Sequence, residues 1–364
     1  MVVYIAAPAN AYTGGPTALF QVCNALRKRD INAIMAFYGE YHDNPMHPNY
    51  LKYQCPWVRM NSINDNYMHA VIVPETAIDR VIQFTKVTKI IYWLAVDNFI
   101  LSMLPPKILN FIAYIIREYI FDPYILYTII TGYEKTYYNS YLSRYVNALI
   151  KREKAIIPRA DLHLVQSKYA RDFLKRHGIK DNTILQVHEP IEEEFLSKAK
   201  NINHEKKVNA IAWNTRKAYP IAFKLVHILR RHGFSVYDLA NVGKQNMINL
   251  LSKTKLFLDI GIHPGRDRPI REAIALDNIA IVNNHGGYYY FEDCMIPSEF
   301  KWDCYFDCKT DIKGYASIID NYLENYDYYI KKFQNFKQYI LEEPSIFLGD
   351  MEYLARTLIR WGVN

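Results

Sequence analysis

Hydrophobic positions in the first half of the chain form short apolar runs that alternate with stretches of helical spacing. The apolar runs predict strands over residues 2–6, 32–37, 70–73, 89–93, 160–166 and 183–187. Helical spacing predicts helices over 17–29 and 168–177, with Ser167 placed to cap the second helix and Gly178 placed to end it. Strands that alternate with helices in this way are typical of a doubly wound α/β domain.

The same alternation begins again in the second half of the chain. Apolar runs and helical spacing there predict strands over 208–213, 234–238, 256–261 and 279–282, and helices over 220–232, 245–253 and 269–276. Residues 196–207 are polar, rich in Lys and Asn, and without apolar periodicity, which predicts a linker between two domains. The C-terminal region, 311–361, is helical in pattern, and Pro344 is expected to interrupt it before a last helix.

Residues 99–150 differ from the rest of the chain, because they are rich in Tyr, Ile and Leu and are punctuated by Pro105, Pro106 and Pro123. Their most apolar part, 111–130, contains Arg117, Glu118 and Asp122 and so does not form an uninterrupted membrane span. Two interpretations stay open for this segment. Its helices cover the first domain, or they form an interfacial surface for a lipid-linked acceptor.

Composition narrows the possible partners and the compartment. The net charge of +7 suits anionic nucleotides or the acidic face of a membrane, whereas the absence of a dense basic run interleaved with aromatics argues against nucleic acid. Five scattered cysteines indicate free thiols, and the first residues lack the pattern of a signal peptide, so we expect a cytoplasmic protein. No cysteine and histidine spacing predicts a metal site.

The strongest candidate chemistry lies in the stretch 256–287. A polar loop there follows an apolar strand and precedes a short helix, which is where a parallel sheet presents ligands to a helix N-terminus. Three arginines crowd that helix end: Arg266, Arg268 and Arg271. A helix N-terminus carries a partial positive charge, so cations beside it are electrostatically unfavourable. A phosphate among the arginines would make the interaction favourable, and their forked donors suit its oxygens. Alternatively, another anion binds, or Asp267 and Glu272 pair with the arginines and nothing binds.

A second basic pair follows the strand predicted over 208–213. In a parallel sheet, Arg216 and Lys217 would lie at the same edge as Arg266 and Arg268, and two such clusters suit a diphosphate. The alternative is that these are separate surface cations.

In the first half of the chain, Gly14 and Gly15 follow the first predicted strand and would let the backbone approach a ligand. Glu75 and Asp97 follow later strands, so each is expected to lie at the crevice edge of the sheet.

Taken in order, these features resemble a GT-B glycosyltransferase. The resemblance rests on the Gly-Gly loop, the Arg-Lys pair, and the segments ADLHLVQSKYARDFL (160–174), HEPIEEEF (188–195) and GRDRPIREA (265–273). It implies two Rossmann-like doubly wound domains that face a central cleft. Residues 1–196, with a helical insertion at about 99–150, would form the acceptor side. Residues 207–340 would bind the nucleotide sugar, and a C-terminal helix, 341–364, would cross back to the first domain.

The resemblance also implies roles for individual residues. Glu272 would bind the ribose hydroxyls, Arg216 and Lys217 would neutralise the diphosphate, and the loop with Gly243 and Lys244 would lie by the base. Retaining members of this group often carry a second glutamate eight positions before the first. Pro264 stands there in this chain, so the contact to the donor sugar is missing or comes from His263 or Asp267.

The function implied is transfer of a hexosyl group from a nucleotide-diphospho sugar to a saccharide or lipid-linked acceptor. The group to which GRDRPIREA is similar synthesises bacterial surface polysaccharides, at the inner face of the membrane. The resemblance implies a retaining enzyme. The chain has no Asp-x-Asp motif, so we expect it to work without a metal, and we expect no other cofactor. An inverting enzyme would instead need a base, for which Asp97 and Glu75 are candidates. Two alternatives are a sugar-nucleotide epimerase of the same architecture and a catalytically silent GT-B binding partner.

Overall fold

The computed structural model describes residues 2–102, 157–215, 220–261, 263–284, 286–302 and 312–361. These residues form two compact units, each built around its own parallel sheet. The first unit contains the described residues up to Pro190 together with those from Pro344 onwards. The second unit is Ile191–Glu343. The predicted insertion at 99–150 lies almost entirely outside the described residues.

The sheet of the first unit has seven described strands, all parallel, in the order β3-β2-β1-β4-β5-β6-β7. Its strands are β1 Val2–Pro8, β2 Ala33–Tyr38, β3 Trp57–Arg59, β4 His69–Pro74, β5 Thr88–Trp93, β6 Leu162–Val165 and β7 Ile184–Gln186. Its helices are α1 Gly14–Arg27, α2 Ile78–Val81, α3 Val96–Ser102 and α4 Lys168–Arg176. The sequence did not predict β3, a three-residue edge strand whose side chains are all at least partly exposed.

Local chemistry explains where α4 begins and ends. The Ser167 hydroxyl accepts a hydrogen bond from the Ala170 backbone N–H at 3.1 Å, which satisfies a donor that the helix itself leaves unpaired. At the other end, Gly178 adopts a φ of +81°, a conformation that glycine takes without strain. Both predictions for this helix are confirmed.

The sheet of the second unit has five described strands, again all parallel, in the order β12-β11-β10-β8-β9. Its strands are β8 Val208–Trp213, β9 Ser235–Asp238, β10 Thr254–Asp259, β11 Ile279–Asn283 and β12 Lys301–Trp302. The helices that begin in this unit are α5 Glu193–Ala199, α6 Pro220–Arg231, α7 Lys244–Lys253, α8 Arg268–Ala275, α9 Ile312–Glu324, α10 Tyr326–Tyr329 and α11 Gln334–Arg360.

Part of the stretch predicted as a linker belongs to the second unit. Helix α5 buries Phe195, Leu196 and Ala199 in the core of that unit. Three apolar side chains on a two-turn helix are too few to produce a periodic pattern in sequence. The boundary between the units falls between Pro190 and Ile191, before the predicted linker begins.

Helix α11 differs from the prediction because it continues through Pro344 as a single helix. Its first part, with Phe336 and Ile340, is buried in the core of the second unit, and its later part, with Phe347 and Met351, is buried in that of the first. Packing on both sides of the proline keeps the residues helical where local preference alone predicts an interruption. Among the helices of the described ranges, none is long and apolar enough to cross a membrane.

Candidate active site

The carboxyl ends of the second sheet bring several predicted site residues to one edge. Strands β8, β10 and β11 are parallel neighbours, so the loops that follow them leave the sheet on the same side. The Asn214 side-chain amide, just after β8, donates a hydrogen bond to Asp259 Oδ2, at the end of β10, at 3.2 Å. Thr215 donates in the same way to the carboxylate of Asp238, at the end of β9. Arg216 and Lys217 come next in the chain and lie outside the described residues.

His263 fixes the loop between β10 and α8, which we call the arginine loop (residues 263–268). Its imidazole has no solvent exposure. Nδ1 lies 3.1 Å from Asp267 Oδ2, and Nε2 lies 3.0 Å from the Asp259 carbonyl oxygen and 3.3 Å from the Asn283 backbone N. Such complete engagement and burial do not fit the prediction that His263 touches substrate. The ring instead ties the arginine loop to the ends of two strands.

A close backbone contact holds the same loop from the other side. The Gly287 N–H donates to the His263 carbonyl oxygen at 3.1 Å, and a Cβ placed on Gly287 would lie 2.4 Å from the carbonyl oxygen of Gly265. Only glycine fits so close an approach. The Tyr288 hydroxyl adds a hydrogen bond to the Asp267 carbonyl oxygen at 3.0 Å. No pattern in the sequence indicates this role for the pair Gly286 and Gly287.

The N-terminus of α8 follows directly from this arrangement. Asp267 occupies the cap position, yet its carboxylate makes no cap hydrogen bond with the helix and lies within hydrogen-bond distance of His263 instead. Pro269 has no N–H of its own to be satisfied in the first turn. The remaining N–H groups and the helix dipole therefore give this end a partial positive charge that suits an anion.

Two of the three arginines near this helix end are neutralised inside the second unit. Arg266 and Arg271 both donate to the carboxylate of Glu343 on α11, the latter at 2.7 Å. Glu343 and Arg271 are fully buried, and Arg266 nearly so. Arg266 also donates to the Asp293 carbonyl oxygen at 2.9 Å, and its guanidinium lies over the ring of Tyr339.

The charges in this cluster stabilise one another. Burial by itself lowers the pKa of Arg266, but the nearby Glu343 carboxylate raises it above the ordinary value of arginine. Burial alone would likewise raise the pKa of Glu343, and the two guanidinium groups instead bring it below its ordinary value. Arg266 and Glu343 are therefore both ionised. The Arg266 guanidinium is bound inside the second unit by Glu343 and the Asp293 carbonyl oxygen. This position does not fit the prediction that Arg266 faces a diphosphate.

Arg268 and Glu272 are also buried, with slightly more of each side chain exposed than in Arg266, Arg271 and Glu343. Arg268 is 8% exposed, the most of the three arginines, and stands at the first position of α8. Glu272 lies one turn further along the same helix and is 5% exposed. Both residues lie in the first turns of α8, and their roles at a ligand stay predictions.

Gly243 and Lys244 begin helix α7, after strand β9. Gly243 is the cap residue of that helix, and no side-chain bond caps it. The Lys244 ammonium lies 2.6 Å from Glu192 Oε2 and 3.1 Å from Glu194 Oε1, so the acidic turn of the HEPIEEEF segment holds it. These contacts place Lys244 near the start of the second unit, a position that the sequence analysis did not foresee.

The remaining predicted residues lie in the first unit, at the carboxyl ends of its strands. Gly14 is the first residue of α1, and a Cβ placed on Gly15 would meet the Leu94 side chain at an ordinary van der Waals distance. The Asp97 carboxylate is buried and accepts a hydrogen bond from the Tyr169 hydroxyl at 2.6 Å. Glu75, also buried, accepts one from the Leu94 backbone N–H at 2.9 Å. Both carboxylates thus hold neighbouring groups of the fold.

The environment of Glu75 changes its protonation. Burial raises the pKa of this carboxyl from 4.5 to about 7, and the nearby Glu189 carboxylate acts in the same direction, whereas hydrogen bonds from backbone N–H groups oppose the rise. Glu75 therefore exchanges its proton close to neutral pH. In the ranges that the structure describes, no group of three His, Cys, Asp or Glu side chains could hold a metal ion.

The sequence matches no family model and no curated protein. Solved structures, in contrast, show several proteins of similar fold. Among solved structures, HepE of Anabaena in complex with UDP-glucose is 10% identical, with a TM-score of 0.55 over 98% of this chain and 100% of that one. Sucrose-phosphate synthase from Thermosynechococcus elongatus is 11% identical, with a TM-score of 0.59 over 99% of both chains. An α-glucosyltransferase in complex with UDP is 9% identical, with a TM-score of 0.50 over 98% of this chain and 99% of that one.

At such identities the likeness shows the fold alone. It extends over nearly the full length of this chain and of all three proteins. Together with the two parallel sheets, it confirms the predicted fold class of two Rossmann-like domains of the GT-B type.

The buried charge cluster makes a prediction for stability. Replacing Glu343→Gln keeps the shape of the side chain but leaves two buried guanidinium groups without a counter-charge, so we expect a loss of about 3–5 kcal/mol in the free energy of unfolding. Chemical denaturation measures it. The neighbouring Glu342 is exposed, and Glu342→Gln should change stability by less than about 0.5 kcal/mol. Equal effects of the two substitutions would contradict the assignment.

Glu75 makes a prediction for the pH dependence of stability. Its pKa is higher in the folded than in the unfolded chain, so its contribution falls as pH rises from 4.5 to about 7. Glu75→Gln removes this penalty, and we expect it to stabilise the protein at about pH 8 by on the order of 2–3 kcal/mol and to have little effect at about pH 4. Denaturation across this range tests it against Glu40→Gln, an exposed control. A stability difference that does not vary with pH would refute the raised pKa.

Proposed function

We propose that this chain is a glycosyltransferase that moves a sugar from a nucleotide-diphospho sugar to a saccharide or lipid-linked acceptor. One observation carries the proposal: α8 presents an uncapped N-terminus and Arg268 at the carboxyl edge of a parallel sheet. Ligands of open α/β sheets bind at this edge, and phosphates bind at helix N-termini. The likeness to HepE, solved with UDP-glucose, supports a uridine nucleotide as the donor.

Different residues of the second unit bind different parts of the donor. The N–H groups of α8 and the Arg268 guanidinium bind the diphosphate, while Glu272, one turn away, binds the ribose hydroxyls. Gly243 and the start of α7 lie by the base. Arg216 and Lys217 lie outside the described residues, and we keep for them the role at the diphosphate that the resemblance implies.

The chemistry follows from where charge develops. When the bond between the sugar and the diphosphate breaks, negative charge grows on the leaving oxygen. The dipole of α8 and the forked donors of Arg268 are fixed in place beforehand, so they stabilise this charge without reorganisation. We propose that the enzyme works in this way without a metal or another cofactor.

We also propose that the reaction retains the configuration of the sugar. An inverting enzyme needs a base that reaches the acceptor hydroxyl. Glu75 and Asp97 are both almost fully buried and hold groups of the first unit, which disfavours that role for either. The segment GRDRPIREA resembles bacterial surface-polysaccharide transferases. This resemblance supports a role in the synthesis of such polysaccharides at the cytoplasmic face of the membrane.

Calorimetric titration with UDP, GDP, ADP and CMP tests the proposal. We expect UDP to bind and Arg268→Ala to weaken its binding about tenfold or more, since a hydrogen bond to a charged group contributes about 1.5–3 kcal/mol. Arg268→Lys keeps the charge but loses the fork, so it should give an intermediate affinity. Arg231→Ala, on the exposed end of α6, should bind like the wild type.

The competing functions give different results in the same series. No heat with any of the four nucleotides would favour a silent binding module. Binding of UDP together with conversion of a UDP-sugar in the absence of an acceptor would favour an epimerase. Thermal unfolding of each variant shows whether a loss of binding reflects a loss of fold.

A further inference from the structure

The last turns of α11 expose four large apolar side chains in the first unit. Leu348 is 48% exposed, Tyr353 60%, Ile359 48% and Trp361 44%. We call these side chains, together with Arg356 and Arg360, the C-terminal patch. The donor site proposed above plays no part in it.

Helix geometry places the patch on the outer side of α11. Leu348 and Ile359 are eleven residues apart, close to three full turns, so they lie on the same side of the helix. Arg356 and Arg360, both exposed, lie between this edge and Tyr353. The opposite side of the helix, with Phe347, Met351 and Leu358, packs in the core of the first unit. The core of the first unit is therefore packed without the four exposed apolar side chains.

The end of α1 adds positive charge beside the patch. Arg29 donates to the Leu348 carbonyl oxygen at 2.6 Å and pairs with Glu352 at 3.3 Å, and Lys28 next to it is exposed. Glu352 also pairs with Arg356 at 3.0 Å. Two carboxylates on this surface, Glu352 and Asp30, stand against four cations, Lys28, Arg29, Arg356 and Arg360, so the balance is positive.

We propose that the C-terminal patch docks the first unit on an anionic lipid surface. Aliphatic and aromatic side chains that alternate with arginine suit the membrane interface, because the apolar groups reach below the headgroups while guanidinium groups bind the phosphates. The cations lie between the apolar side chains, so one anionic interface can contact both kinds of group at once. The positive balance of the patch therefore complements anionic phospholipid.

Vesicle sedimentation of the full chain tests this proposal. The probes are vesicles of phosphatidylcholine alone and of an equimolar mixture with phosphatidylglycerol. We expect binding to the mixed vesicles only, and binding that weakens with added salt. The double variant Arg356→Glu, Arg360→Glu should bind at least about tenfold more weakly, because each basic residue near an anionic surface contributes about fivefold. Leu348→Ser with Ile359→Ser should also reduce binding.

Matched controls separate the patch from general charge. Lys313→Glu with Lys331→Glu changes the net charge equally at exposed sites of the second unit and should bind as the wild type does. Equal losses in both charge variants, or wild-type binding by the patch variants, would overturn the proposal, as would failure of the wild type to bind mixed vesicles. A change of oligomeric state in the patch variants, seen by size-exclusion chromatography with light scattering, without loss of vesicle binding would show an interface between copies and also refute it.

Discussion

The buried cluster of Arg266, Arg271 and Glu343 is the constraint on which the candidate donor site depends. A guanidinium group out of contact with water is tolerated only when a carboxylate neutralises it and its donors are satisfied. Glu343 does this for two arginines at once, from a helix more than seventy residues further along the chain. Since Arg271 belongs to α8 and Arg266 to the loop before it, one carboxylate sets the position of both relative to α11. His263 and Gly287 hold the same loop from the side of the sheet, so its shape is determined before any ligand arrives.

Much of this fold could be predicted from the sequence, because parallel strands buried on both faces appear as short apolar runs. Strand β8 spans the predicted residues, and α8 lies within one residue of its prediction. The predictions that failed concern elements whose stability comes from tertiary packing. Helix α5 contributes only a few apolar groups to a core that the rest of the chain forms, and α11 remains helical through Pro344 because both flanking segments are packed. Neither the packing of α5 nor that of the segments around Pro344 can be predicted from the local sequence pattern.

The candidate site shows the same division more sharply. The position of the arginine loop follows from the order of strand, loop and helix, and this part was predictable. The partner of each charge was not, since nothing near Glu343 in sequence distinguishes it from the exposed Glu342. A titratable side chain in a candidate loop is readily assigned a chemical role, as His263 was. The structure shows it engaged with Asp267, Asp259 and Asn283, and that could be predicted only with the strand ends already in place.

Charge balance at α8 also bears on how a diphosphate would be recognised there. Three arginines meet three carboxylates in this region: Arg266, Arg268 and Arg271 against Asp267, Glu272 and Glu343. These six side chains are formally neutral together, so apart from the predicted Arg216 and Lys217 a general positive field is a poor explanation for anion binding. Directional donors explain it better: backbone N–H groups at the helix end and the fork of Arg268 form strong bonds only to an anion in the right position. Such a site would select for the geometry of its ligand more than for its charge. That property suits an enzyme that must hold the leaving group in a fixed orientation while the bond to the sugar breaks.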